Sequence, residues 1–90
     1  MNVRIPGLLR SYTEGAENVE IVVAHANATL ADALSALNAR FPGLRFRIVD
    51  EQGAIRPHVK MFVDGVLARD LGAGVPRDGE LMIVGALSGG

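Results

Sequence analysis

Polar and apolar positions alternate at the start of the chain, with Val3 and Ile5 set against Asn2 and Arg4, and Pro6-Gly7 follows at once. Proline cannot donate to a strand ladder, so the pattern predicts a short strand over residues 2–6. Residues 8–15 begin apolar with Leu8-Leu9 and end in turn formers, as a connecting loop does. Val19-Glu20-Ile21-Val22-Val23-Ala24 is rich in β-branched residues and bounded by Asn18 and by His25-Ala26-Asn27, which predicts a second strand in a hairpin with the first. The period then changes. Leu30, Ala33, Leu34, Leu37 and Phe41 form one apolar stripe at helical spacing, with Asp32, Ser35 and Asn38 on the other side. The Thr29 hydroxyl can accept from a first-turn N–H, Asp32 suits the positive end of the helix, and Pro42-Gly43 ends it. So narrow a stripe places the helix on a single sheet face.

Residues 44–57 show no clear period, with Arg45, Arg47, Asp50, Glu51 and Arg56 scattered among Phe46, Ile48, Val49 and Ile55 and a turn at Asp50-Glu51-Gln52-Gly53. Val59, Met61 and Val63 then alternate with His58, Lys60 and Phe62, and Asp64-Gly65 is a hairpin turn before Val66-Leu67. After Arg77-Asp78-Gly79 the run Glu80 to Val84 is apolar at consecutive positions, as expected of a central strand covered on part of both faces. The expected architecture is α+β: a mixed sheet of about five strands with one main helix on one face.

At 90 residues, 49% hydrophobic and 21% charged, the chain is expected to be one domain, 1–90, with residues 86–90 as a flexible tail. Nine Lys and Arg against ten Asp and Glu give a formal net charge of -1, which supplies no general attraction to nucleic acid or anionic lipid. The apolar run 81–87 falls far short of the roughly 20 residues of a membrane span, and the first residues lack the features of a secretory signal, so the expected location is the cytoplasm. With no Cys, thiolate chemistry and zinc-finger sites are excluded. A domain this small buries only about 60–65% of its unfolded surface. That favours a binding or carrier role over an enzyme with a deep pocket.

His25 and His58 have no ligand or nucleophile partner at usable spacing and are expected to be surface or structural residues. Gly72-Ala73-Gly74 lacks the following helix and Lys-Ser/Thr pair of a phosphate loop and is expected to be a turn. The informative feature is Gly85-Ala86-Leu87-Ser88-Gly89-Gly90, which follows directly on the last strand. Taken alone, two terminal glycines are an ordinary frayed end. Following a central strand, they also make a tail that fits a narrow channel, since residues without Cβ thread where others cannot. Five extended residues reach roughly 17 Å at about 3.3–3.6 Å each. The Gly90 carboxylate, ionised at neutral pH with a typical pKa of about 3.3–3.7, is a poor electrophile until adenylation gives it a leaving group. This chain has no nucleotide loop, so ATP would be consumed by a separate enzyme and no cofactor is expected on the chain itself.

Together with the opening strand and its Leu9-Arg10, the helix start Thr29-Leu30-Ala31-Asp32-Ala33-Leu34, Phe62-Val63-Asp64-Gly65, the turn Arg77-Asp78-Gly79-Glu80 and the tail Ala86-Leu87-Ser88-Gly89-Gly90, the sequence resembles the β-grasp sulfur-carrier proteins of the MoaD/ThiS family, relatives of ubiquitin. The resemblance covers essentially the whole chain and is most specific in the tail. It implies that Gly90 is adenylated by an E1-like adenylyltransferase, receives sulfur by way of a sulfur donor enzyme to become a thiocarboxylate, and delivers it to a sulfur-acceptor synthase making molybdopterin, cysteine, thiazole or a related product. The chain would then be a protein cosubstrate, or the small subunit of a sulfur-transfer complex. Gly85 stands where many relatives have proline. Phe62, on the strand face away from the helix, is expected to form a partner-facing patch with Leu87, Ala86, Val84 and Pro6; the alternative is that Phe62 packs under the loop 50–58. Two other functions use the same features: a ubiquitin-like modifier joined through Gly90 to lysines of other proteins, and a non-covalent β-grasp interaction module.

Overall fold

The opening alternation forms β1 (Asn2–Arg4), and Pro6, unable to continue a ladder, instead precedes a 3-10 turn over Gly7–Leu9. A computed structural model describes residues 1–23 and 26–85. β2 (Asn18–Glu20) pairs antiparallel with β1, matching Val3 to Val19. It is shorter than the run 19–24 suggests. Ile21 exchanges two further bonds with Met1, its N–H donating to the Met1 carbonyl at 2.9 Å and its carbonyl accepting from the Met1 amine at 2.9 Å, and Val22 then turns outward, 83% exposed. Ala24 and His25 lie outside the described residues.

Helix α1 (Leu30–Arg40) starts where expected. Thr29 accepts from the Asp32 N–H while Asp32 Oδ2 accepts from the Thr29 N–H at 2.8 Å, a reciprocal capping box. The next N–H groups of the first turn are also satisfied, since Leu30 and Ala31 donate to the Ala73 and Leu71 carbonyls. The glycine pair Gly72 and Gly74 is thus a turn that helps cap the helix, and Asp70 Oδ1 closes it by accepting from the Gly72 N–H at 2.8 Å.

A second helix, α2 (Leu44–Ile48), occupies a segment whose sequence shows no period. Five residues give little more than one turn, too few for a stripe, and only Leu44 and Ile48 at i, i+4 are buried. Its start is set by Asn38, whose Oδ1 accepts from the N–H groups of Gly43 (3.1 Å) and Arg45 (3.0 Å).

β3 (Val59–Val63) and β4 (Val66–Ala68) form the expected hairpin about Asp64-Gly65, with φ of 47° and 83°. Both values lie in the left-handed region that a two-residue hairpin turn demands. β5 (Glu80–Gly85) is the central strand of a five-stranded sheet ordered β2-β1-β5-β3-β4, parallel to β1 and antiparallel to β3. Alternate strand residues, including Val3, Val19, Met61, Leu81 and Ile83, pack into one core with Leu30, Ala33, Leu34 and Leu37 of α1. The α+β β-grasp architecture follows: a mixed sheet grasping one main helix.

Candidate functional site

The site is organised by β5, because the strand that leads to the tail is held on both sides. Its last paired residue, Gly85, lies opposite Val59 of β3. A Cβ added at Gly85 would meet Leu8 Cδ1 at 3.8 Å and Pro6 Cγ at 4.0 Å, which is ordinary contact. Space therefore does not impose glycine here; its effect is to leave the strand exit without a side chain. Beside it a small notch is lined by Leu8, Leu9, Arg47 and His58. His58 is a surface residue just ahead of β3. The expected tail residues Ala86, Leu87, Ser88, Gly89 and Gly90 lie outside the described residues.

The sheet face away from α1 can be assembled from the register, since directly paired residues share a face. Asn18, Arg4, Met82, Phe62 and Leu67 form one row across all five strands. Its middle is apolar and half-buried, with Phe62 between Met82 and Leu67. The row nearer the strand exit contains Val84, 39% exposed, opposite Lys60. The row nearer the strand start contains Glu20, Asn2 and Glu80. Val59 and Met61 are buried toward the helix and Lys60 is exposed, as the alternation predicts.

Of the expected interface residues, the structure brings Pro6 and Val84 together. Both line a groove of about 280 Å³ between the ends of β1 and β5, together with Arg4 and Met82. Arg10 braces its wall, donating from Nε to the Ile5 carbonyl at 3.1 Å and pairing with Glu17 at 3.2 Å. Phe62 is outside the groove but adjoins it through Met82. Arg4, Met82 and Leu67 are members of this face that the hydropathy pattern does not single out. The signal for Met82 is its parity with Val84; it is hidden because the strand is apolar at consecutive positions.

At the opposite end, the Asp64 carboxylate accepts from the Glu80 N–H at 2.8 Å, and the Asp64 N–H donates to the Glu80 carbonyl at 2.9 Å. These bonds fix the start of β5 to the β3–β4 turn. In the loop before β3, Asp50 Oδ1 accepts from the Ala54 and Gln52 N–H groups, and these bonds hold its carboxyl below the usual aspartate range. Among the described residues, no group of three or more His, Cys, Asp or Glu is placed to hold a metal ion, and no helix is long and apolar enough to cross a membrane.

No family model and no curated protein sequence matches the chain. Solved structures do. A chain of the Amycolatopsis orientalis BexX/CysO complex is 27% identical, with 99% of this chain and 98% of that one covered and a TM-score of 0.84. SAMP1 from Haloferax volcanii is 29% identical, with 100% and 98% covered and a TM-score of 0.84. Mycobacterium tuberculosis CysO, at 24% identity, 96% and 98% coverage and a TM-score of 0.82, shares the fold.

Proposed function

Because this chain has the β-grasp fold and resembles proteins of the MoaD/ThiS type over its whole length, we propose that it is a ubiquitin-like sulfur carrier whose reactive group is the Gly90 carboxylate. The observation that carries the reading is the placement of β5: the central strand, held on both sides, runs out at Gly85 directly into Ala86-Leu87-Ser88-Gly89-Gly90. A rigid body with a reactive end on its best-anchored strand suits a protein that is handed between enzymes.

The chemistry requires Gly90 to carry a free carboxylate. An oxygen of that carboxylate attacks the α-phosphate of ATP on an E1-like adenylyltransferase, releasing pyrophosphate and leaving an acyl adenylate. Hydrosulfide then attacks the acyl carbon, AMP departs with the bonding pair, and a proton is lost to give the thiocarboxylate. The chain itself contributes the acyl group and the docking surface and acts as cosubstrate. The acceptor synthase, the sulfur donor enzyme and a cytoplasmic setting belong to the same proposal.

The likeness to SAMP1 of Haloferax volcanii, the small archaeal modifier protein 1, favours a second reading in which a lysine amine attacks the same adenylate-activated carbonyl. Intact mass of the untagged protein recovered from its own organism, with fragmentation to Gly90, separates the two. A carrier shows sulfur in place of one terminal oxygen, trapped by thiol alkylation, and a modifier shows Gly90 joined to lysines of other proteins. Localisation to Gly90 is needed because oxidation of Met1, Met61 or Met82 adds nearly the same mass. A residue appended after Gly90 abolishes both functions; a protein that keeps its cellular role with that extension is an interaction module and neither carrier nor modifier.

A further inference from the structure

Eight of the nine basic side chains are arginines, and Lys60 is the one lysine. A guanidinium keeps its proton and does not act as a nucleophile, whereas a lysine amine does once it sheds one. With no Cys in the chain, two amines are available to form a stable bond with an activated carbonyl, those of Lys60 and Met1. The fold puts them at opposite ends of the sheet. Met1 adjoins Asn2, which pairs with Glu80 at the start of β5, and its amine is held by Glu20 Oε2 at 2.8 Å and by the Ile21 carbonyl at 2.9 Å. Lys60 stands opposite Val84, one residue from the strand exit at Gly85. It is exposed, and among the described residues no ion pair or hydrogen bond engages its amine.

Paired Cα atoms across an antiparallel ladder are about 4.5–5.5 Å apart and one step along the strand adds about 3.3 Å, so the Cα atoms of Lys60 and Gly85 are about 6 Å apart. The four-carbon stem spans about 6 Å more, which keeps the Lys60 amine within about 12 Å of the exit. Residues 86–90 measure roughly 17 Å when extended. Gly90 therefore overreaches Lys60 with length to spare for a turn, and Ala86-Leu87-Ser88-Gly89-Gly90 contains no proline to forbid one.

We propose that Lys60 is the internal acceptor of the activated tail, closing the chain into a ring through a Lys60–Gly90 isopeptide bond. The proposal rests on the carrier reading for the adenylate and for a free carboxylate at Gly90. The neutral Lys60 amine attacks the Gly90 acyl carbon, the carbon–nitrogen bond forms, AMP departs with the bonding pair, and the nitrogen loses one proton to solvent. Relative to the free acid the chain has lost one water. While an enzyme holds the tail extended, Gly90 lies farther from the exit than Lys60 can reach, so capture begins when an adenylate is released without sulfur. The ring has neither a reactive terminus nor a free lysine, and idle acyl adenylate is consumed before it acylates other proteins.

Capture is tested first without the activating enzyme. The full chain is prepared with an aryl thioester at Gly90 and followed near neutral pH by intact mass and fragmentation. The expected product is a monomer one water lighter than the free acid, with Lys60 joined to Gly90. At about 10 µM protein, the millimolar effective concentration of a short linker favours this ring over linked dimer roughly a hundredfold. Lys60→Arg is expected to end as the hydrolysed acid. Lys60→Arg/Arg77→Lys carries its lysine ahead of β5, whose length from Glu80 to Gly85 already takes up about 17 Å, and is expected to cyclise about tenfold more slowly. Hydrolysis of the unsubstituted chain with no ring formed, a Gly90 bond to Met1, equal cyclisation by the relocated lysine, or dimer as the main product overturns the proposal.

The second arm gives the untagged chain and ATP to the organism's E1-like enzyme. Without sulfide the Lys60–Gly90 ring is expected to accumulate, and hydrosulfide is expected to divert the chain to the thiocarboxylate. ATP–pyrophosphate exchange with no ring formed overturns the proposal. No exchange at all defeats the carrier reading instead, and the thioester experiment then decides the role of Lys60 by itself.

Discussion

Leu81 and Met82 are neighbours in β5, yet one is fully buried against the helix and the other lies half-buried on the opposite face beside Phe62 and Arg4. The same contrast holds along β3, where Met61 is buried at 0% and Lys60 is exposed. A strand assigns its residues to two faces by parity, so a single backbone carries both an apolar core and a graded surface. The core face is uniform because its task is to exclude water. The open face varies from acidic to apolar to basic, which burial alone does not require. Core and surface are thereby separated at a spacing of one residue.

The largest effect should come from the core side. Leu81→Ala is expected to cost about 2–5 kcal/mol, the usual range for emptying a fully buried leucine site, measured by urea unfolding. Next door, Met82→Ala should cost about 1 kcal/mol, the centre of the range for point substitutions, because its side chain is already partly in water. If the two losses were equal, the separation of the faces would be lost. Smaller still, Lys60→Glu should leave unfolding free energy within about 0.5 kcal/mol of wild type. A larger loss would mean that the basic end of the open face is a structural element.

The smallest effect concerns the loop 50–54 and sharpens the contrast by involving neither face. The Asp50 carboxyl is held below its usual range by N–H groups of Ala54 and Gln52, so the folded state binds its proton less readily than the unfolded chain. The associated stabilisation is complete above the unfolded aspartate pKa of about 3.9 and is lost as pH falls through the lower folded value. Asp50→Asn should therefore flatten the pH dependence of stability only in that acid window, with the two proteins following parallel curves near neutrality.

Much of this organisation is legible in the amino-acid sequence. The α1 stripe and its Thr29/Asp32 cap, the Asp64-Gly65 hairpin and the central place of the last strand all follow from short-range rules, because each is decided by residues within a few positions of one another. What is not legible depends on length or on distant partners. α2 is too short to show a period, and its start depends on the Asn38 side chain reaching forward from the last turn of the preceding helix. β2 ends early because ladder pairing, which the β-branched run 19–24 cannot encode alone, extends beyond Glu20 only to Ile21, which exchanges bonds with Met1. For the site, Phe62, Val84 and Pro6 are identifiable one by one. Their assembly with Met82, Leu67 and Arg4 needs the register of four strands.

The position of β5 also has a mechanical meaning. Force applied along the strand beyond Gly85 would act parallel to β1 on one side and β3 on the other, nearly at right angles to the hydrogen bonds of both ladders. Those bonds would be loaded together in shear, whereas the same pull on an edge strand such as β4 would meet a single ladder. Gly85 thus sits on the part of the sheet best able to resist traction, and on the carrier reading proposed above an enzyme that draws in the residues after it could pull hard without unravelling the body it holds.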